Sequence, residues 1–138
     1  MFRTQRIMVG LIVLALGLTA CAGSTASTIA CSGDFEATVH QGKNAGLSLV
    51  GKLSLQIQPS GSISGALATD DNLNVLVTGY AINQALNMVF DLGNGQYIFG
   101  VGSAQNDIRA CKGVAGGPFT GPEPGDSGDW SYAIGGRN

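Results

Sequence analysis

The sequence predicts an all-β domain, an antiparallel up-and-down meander of about six to eight strands that closes into a small barrel. Apolar and polar residues alternate with a period of two over most of residues 34–102. The connections between these runs are short and rich in turn-forming residues, and no 3.6-residue period is sustained after the leader. A β-sandwich has the same signature, so the sandwich stays open as the alternative.

The first two predicted strands show the alternation most clearly. Residues 34–41 place Phe35, Ala37 and Val39 on one side of a strand. Residues 47–58 follow a glycine-rich turn and have the longest apolar set in phase, with polar neighbours between its members: Leu47, Leu49, Leu53, Leu55 and Ile57. Since a half-buried strand alternates in this way, we predict that both sets face the core.

Four more strands follow, each after a turn. The third follows the turn at residues 59–62, and the fourth covers residues 74–82. The fifth begins at residue 86 and ends near Asn94-Gly95, the strongest short hairpin signal, because a type I′ turn needs positive φ at both central residues. In the sixth strand the more apolar set is predicted to face the core: Tyr97, Phe99 and Val101.

The C-terminal region differs in composition. Residues 113–128 contain three prolines and six glycines. Proline cannot donate to a strand ladder and glycine weakens a strand, so we predict that this Gly/Pro-rich tail forms neither a central strand nor a helix. Residues 129–134 are predicted to form a short last strand, with Trp130, Tyr132 and Ile134 on one face.

The first twenty residues have the layout of a secretory signal. Arg3 and Arg6 precede an apolar run that is too short to span a bilayer comfortably, since a spanning helix needs about 20 residues. The run ends in Leu18-Thr19-Ala20-Cys21. These four residues resemble the lipobox of bacterial lipoproteins, which implies acylation of Cys21 and cleavage before it. The alternative is ordinary cleavage near Ala20 or Ala22 that leaves a free thiol.

This resemblance implies a lipid-anchored, extracytoplasmic protein of the cell envelope. The expected organisation is a signal peptide over residues 1–20, a lipidated cysteine with a flexible tether over 21–30, and a single β domain over 31–138. Ala22 follows the cysteine where an aspartate would signal inner-membrane retention in enterobacterial lipoproteins. The outer membrane is therefore favoured if the source is Gram-negative.

The charge of the exported chain narrows the class of partner. Without Arg3 and Arg6 it has five basic and nine acidic residues, a formal charge of −4. Nucleic acids and anionic membrane surfaces need a basic patch, so neither is expected as a partner. Charged residues make up 12% of the sequence and hydrophobic residues 44%, which excludes a disordered chain.

Two cysteines are left once Cys21 is assigned to lipid. Cys31 and Cys111 bracket nearly all of the strand-like sequence, and an even pair in an exported protein favours a disulfide. Closing a loop of this length stabilises the fold by roughly 4 to 5 kcal/mol in the chain-entropy model. A metal site would need more ligands than these two thiols and His40, the single histidine.

Apolar residues also occur on the face opposite to the predicted core, where a half-solvated sheet would be polar. One explanation is that the tail residues Trp130, Tyr132 and Ile134 cover this second face. The other is a partner or ligand surface, since contiguous exposed apolar patches mark interaction sites. The candidate surface residues are Leu76, Tyr80, Ile82, Val89, Ile98, Trp130 and Tyr132.

No group of residues predicts catalysis. His40 and Glu36 share a predicted strand face, so an acid–base pair is geometrically conceivable, but an exposed strand-end histidine is the favoured explanation. Asp126 and Asp129 lie three apart in a glycine-rich loop as weak calcium candidates, without the full EF-hand spacing. We therefore predict no catalytic residue and no cofactor.

These observations favour a binding or accessory module that serves an envelope protein or a small apolar ligand close to a membrane. A structural subunit of an envelope complex is the alternative, motivated by the lack of a reactive group. A hydrolytic enzyme is the third hypothesis, and it would need His40, Glu36 and a third polar group to converge in a cleft.

Overall fold

Eight antiparallel strands form one closed barrel in a computed structural model, which describes residues 27–135. Strands that follow each other in the chain pair with each other, and the last strand pairs with the first. The up-and-down barrel is therefore confirmed and the sandwich is excluded. The strands are β1 (Ile29–Gln41), β2 (Ser48–Ile57), β3 (Ser62–Thr69), β4 (Asn74–Ile82), β5 (Ala85–Gly93), β6 (Gln96–Ala104), β7 (Gly113–Thr120) and β8 (Ser127–Ile134).

The leader, Cys21 and residues 22–26 lie outside the described residues, so the predicted lipidation site has no structural description. β1 begins at Ile29, which pairs with Ile57 of β2. Residues 29 and 30, predicted as part of the tether, therefore belong to the barrel wall. No helix among residues 27–135 has the length and apolar character needed to cross a membrane.

β7 corrects the prediction that the Gly/Pro-rich tail contains no central strand. Its residues pair with both β6 and β8 and complete the barrel. Pro118 lies within β7, and the pairing with β6 is interrupted there: it includes Gly100–Phe119 and Ser103–Gly116 but no pair between them. The strands approach closely at this point, since a Cβ on Gly117 would lie 2.1 Å from the Val101 carbonyl oxygen. Glycine therefore permits the strand that composition alone argued against.

The side chains of β6 face the opposite way to the prediction. Ile98 is buried beside its cross-strand partner Phe90, whereas Tyr97, Phe99 and Val101 face solvent. The inward positions after Ile98 are glycines, and the Trp130 indole fills the space that side chains would need there. A Cβ on Gly102 would lie 2.7 Å from Cζ2 of Trp130.

Trp130 also supplies the hydrogen bond that β7 leaves unmade. Its Nε1 donates to the carbonyl oxygen of Val101 at 3.1 Å, at the interruption of the β6–β7 ladder. A buried carbonyl without a partner is destabilising by about 1–3 kcal/mol, so this bond allows Pro118 to be tolerated in a closed barrel. The indole of β8 therefore contacts β6 in two ways: its ring packs on the glycines of β6, and its Nε1 binds a β6 carbonyl beside the position where Pro118 of β7 has no N–H.

The predicted last strand is confirmed as β8, and Trp130, Tyr132 and Ile134 do share one face. That face points into the barrel, so these residues do not cover the outer surface. The Phe35 ring lies between Phe90 and Trp130, with ring centroids 5.0 and 6.3 Å away. The interior is filled by packed aromatic and aliphatic side chains.

Tyr132 adds a polar contact inside this core. Its hydroxyl donates to the Leu53 carbonyl oxygen at 3.2 Å, and burial raises the pKa of the Tyr132 hydroxyl far above its usual range. Tyr132 is therefore a neutral donor that links β8 to β2 across the barrel interior.

The Cys31–Cys111 disulfide is confirmed, with Cα atoms 5.3 Å apart. It lies at the end of the barrel where β1 begins, which we call the disulfide end. A 3₁₀ helix at Ile108–Ala110 covers this end and inserts the buried Ile108. Arg109 donates to the carbonyl oxygens of Ile57 at 3.3 Å and Ser27 at 2.8 Å. The 3₁₀ helix thereby closes the disulfide end, and the Arg109 side chain holds the segment that leads into β1 at this end.

Gly102→Ala is expected to destabilise the barrel by about 1–3 kcal/mol or more, because the new methyl group would overlap the Trp130 indole and the Gly116 carbonyl oxygen. Ser103→Ala changes the neighbouring exposed position and is the matched control. Urea unfolding followed by circular dichroism would measure both variants. Equal midpoints for the two would contradict the proposed packing of Trp130.

The double variant Cys31→Ala/Cys111→Ala is expected to lose roughly 4 to 5 kcal/mol of unfolding free energy, since the bridge closes a loop of 80 residues. The loss is a large part of the stability of a domain of this size. Urea titrations of the double variant and of the oxidised and reduced wild-type protein would measure this loss of unfolding free energy. Unfolding curves that superimpose with and without the bridge would refute this contribution.

Candidate binding surfaces

The two ends of the barrel differ in construction. The 3₁₀ helix and the disulfide close one end, whereas the opposite end is formed by the loops after β1, β3, β5 and β7. We call this opposite end the mouth end. Six of the nine acidic residues lie in its loops or in the strand termini beside them: Asp70, Asp71, Asp91, Glu123, Asp126 and Asp129.

A cavity of about 250 Å³ opens at the mouth end. Leu47 and Leu73 form part of its rim and are 57% and 55% exposed, although Leu47 was predicted to be in the core. Asp71 and Ser48 supply the polar side chains of the lining. The remaining lining residues are apolar: Ala37, Val39, Leu49, Leu92, Ile98, Phe119 and Pro122.

Asp126 holds two of the loops of the mouth end together. It is 2% exposed, and its carboxylate accepts hydrogen bonds from the backbone N–H of Asn44 at 3.1 Å and from its side-chain amide at 2.6 Å. The backbone N–H of Glu123 donates a further bond at 3.1 Å. The β1–β2 and β7–β8 loops are therefore joined through one buried carboxylate.

The surroundings of Asp126 favour its charged form. Desolvation of the buried carboxyl acts to raise its pKa, but the backbone and side-chain bonds from Asn44, with backbone bonds from Glu123 and Lys43, hold the pKa of Asp126 below its ordinary value. The Asp126 carboxylate is the acceptor in all of these hydrogen bonds, so they stabilise its charged form. Its role is therefore to shape the mouth, and the bonds occupy the oxygens that a cation would need.

A second surface lies on the outside of β4, β5 and β6. Outward residues of these strands are adjacent in the sheet: Val89 pairs with Thr78 on one side and with Phe99 on the other. The Tyr97 and Phe99 rings pack against each other with centroids 6.1 Å apart. We call this surface the outer strip, and it consists of Leu76, Tyr80, Ile82, Val89, Tyr97, Phe99 and Val101.

The outer strip is large, exposed and almost uncharged. All of its members are exposed except Val89, which is half-buried, and Asp91 is the single charged residue among the outward positions of β4–β6. The strip continues from Tyr97 and Phe99 into a depression of about 420 Å³ beside the β7–β8 loop. Outward positions of β1 and β2 are mostly polar by contrast, with Val50 as the exposed large apolar residue, and they include the ion pair between Lys52 and Asp34.

The predicted partner surface is thus partly corrected. Leu76, Tyr80, Ile82 and Val89 lie together on the outer strip. Ile98, Trp130 and Tyr132 lie in the core. The strip residues that sequence reasoning missed are Tyr97, Phe99 and Val101, and the available signal was the inward glycine pair of β6 opposite the single tryptophan.

The catalytic and metal candidates do not assemble into a site. His40 pairs with Asp129, Nε2 to Oδ2 at 3.3 Å, on the exposed outer surface, and no hydrogen bond joins it to a hydroxyl within residues 27–135. Asp126 is buried while Asp129 faces solvent. Across the described part of the chain, no three histidine, cysteine or acidic side chains are close enough to hold a metal ion.

Comparisons with protein-family models, with curated proteins and with solved structures found no match for this chain.

Acid is expected to weaken the barrel through Asp126. A carboxyl group whose pKa is lowered by folding stabilises the folded state above its unfolded value of about 3.9, and this contribution is lost as the pH falls through the folded pKa. Asp126→Asn should therefore be less stable than wild type at neutral pH. The difference should shrink below about pH 4.

Urea midpoints measured from pH 7 to pH 2 would test this, with Asp129→Asn as the control for an exposed carboxylate of the same region. A gap between wild type and Asp126→Asn that stays constant over this pH range would rule out the proposed clamp.

Proposed function

We propose that this protein is a lipid-anchored, extracytoplasmic binding module that docks onto an envelope protein through its outer strip. Its anchor is the acylated Cys21 that the lipobox resemblance implies. The observation that carries the docking role is a group of seven apolar outward residues on three adjacent strands, with Asp91 as the one charged residue among them, on a barrel whose core is already filled.

The position of Ser27 indicates which end of the barrel would lie near the lipid anchor. Residues 22–26 separate Cys21 from Ser27, and a chain of this length reaches at most about 20 Å when extended. Arg109 binds the Ser27 carbonyl at the disulfide end. The disulfide end is therefore the one held near the bilayer, with the barrel wall and the mouth end projecting from the membrane.

The partner must be recognised by side chains. A closed barrel has no free strand edge, so strand addition is not available to it. The strip spans three neighbouring strands and measures roughly 15 by 25 Å. Its aromatic residues, Tyr80, Tyr97 and Phe99, are of the kind that dominates the centre of protein interfaces.

Charge favours a protein over the bilayer as the occupant of the strip. Binding to an anionic lipid surface gains from lysine and arginine around the apolar residues. Residues 53–108, which contain the whole strip, include no basic residue. An apolar surface of an envelope protein matches the strip if it leaves Asp91, which lies between Leu76 and Tyr97, in contact with water.

Site-specific photo-crosslinking in intact cells tests the docking role. A photoreactive residue at Phe99 is expected to form a discrete adduct with one envelope protein, whereas the same residue at Ser54, outward on the opposite strand β2, forms none. Tyr80→Thr/Phe99→Thr should reduce a Val101 adduct at least about tenfold, because aromatic anchors carry most of the binding energy. Threonine retains strand propensity, so the unfolding midpoint should change little.

Adducts only with lipid would assign the strip to the membrane, and adducts only with a second copy would assign it to self-association. Either result, or equal labelling from Phe99 and Ser54, would overturn the docking proposal. Palmitate labelling that is lost in Cys21→Ser tests the anchor separately.

A further inference from the structure

The mouth cavity has a composition that selects a ligand. Its walls are aliphatic and aromatic, and two exposed leucines, Leu47 and Leu73, stand at the opening. The volume of about 250 Å³ is just below the range of about 300–1,000 Å³ that holds a drug-sized ligand. A short apolar chain therefore fits, with its end inside and its head group at the rim.

The charge at the rim determines the head group. Asp71 is the single charged side chain of the cavity lining, and it is exposed. It accepts a hydrogen bond from Thr69, which holds its carboxylate in the β3–β4 loop. Lys43 is the single lysine in the loops of the mouth end, against six acidic residues at that end.

We infer that the mouth cavity binds a cationic amphiphile, a short alkyl chain that bears an amine or another positively charged head group. The chain lies against the apolar walls, and the cation lies beside the Asp71 carboxylate. A fatty acid has the same chain but brings an anion to this rim, where it would be repelled. The site shares no residue with the outer strip, so it is independent of the proposed docking role.

Three ligands with the same alkyl chain separate the contribution of the chain from that of the head-group charge. Octylammonium, octanol and octanoate below their aggregation concentrations differ only in a head group of charge +1, 0 or −1 at neutral pH. Each is titrated into residues 22–138, which contain the entire barrel and its disulfide, by calorimetry and by amide chemical-shift mapping. No detergent is needed because Cys21 is absent.

Octylammonium is expected to bind with saturation, at least about tenfold tighter than octanoate, and octanol is expected between them. The shifted amides should belong to the mouth, around Ser48, Leu73 and Leu92. Asp71→Asn should reduce the preference for octylammonium over octanol to less than about twofold, a change of the size expected for one exposed ion pair. Asp70→Asn, an adjacent acid outside the cavity lining, should leave the preference in place.

Leu73→Ser tests the apolar wall and should weaken all three ligands, whereas Leu76→Ser, an equally exposed leucine of the outer strip, should not. Octanoate binding as tightly as octylammonium would overturn the assigned head group. Saturable binding by none of the three, or shifts confined to the outer strip, would overturn the site itself. Neither result bears on the crosslinking from Phe99, which uses the strip alone.

Discussion

The barrel depends on one contact, between the Trp130 indole of β8 and strand β6 on the far side of β7. Closure requires β7 to pair with β6, yet Pro118 interrupts that ladder and leaves the Val101 carbonyl without a strand partner. The indole Nε1 binds this carbonyl, while the ring fills the volume above Gly100 and Gly102. Hydrogen bonding and packing are therefore satisfied by the same side chain, where a sheet would otherwise open.

This contact also explains the asymmetry of the outer surface. Because Trp130 occupies the interior against β6, the large side chains of that strand, Tyr97, Phe99 and Val101, are turned outward. They join the outward residues of β4 and form the outer strip. A filled interior and an apolar exterior on one side of the barrel are thus two results of one packing arrangement.

At the mouth end, charged side chains both hold the loops together and line the cavity. Asp126 is buried and satisfied by the amides of two loops, so its charge is used for structure. Asp71 is exposed on the lining of an apolar cavity, so its charge faces solvent and any ligand. The two carboxylates lie at the same end of the barrel, one buried and hydrogen-bonded and the other exposed to solvent, so only Asp71 keeps its charge accessible at the surface.

Sequence alone was sufficient for the all-β class, the up-and-down order and the inward faces of β1 and β2, since local alternation and turn residues determine these features. It was also sufficient for the Cys31–Cys111 bridge, through the even number of remaining cysteines. It also located four of the seven residues of the outer strip: Leu76, Tyr80, Ile82 and Val89. The tertiary structure alone decided the phase of β6, the existence of β7 and the mouth cavity. Each of these depends on a partner distant in sequence: Trp130 replaces side chains that β6 lacks, and the mouth is assembled from loops that no local pattern brings together.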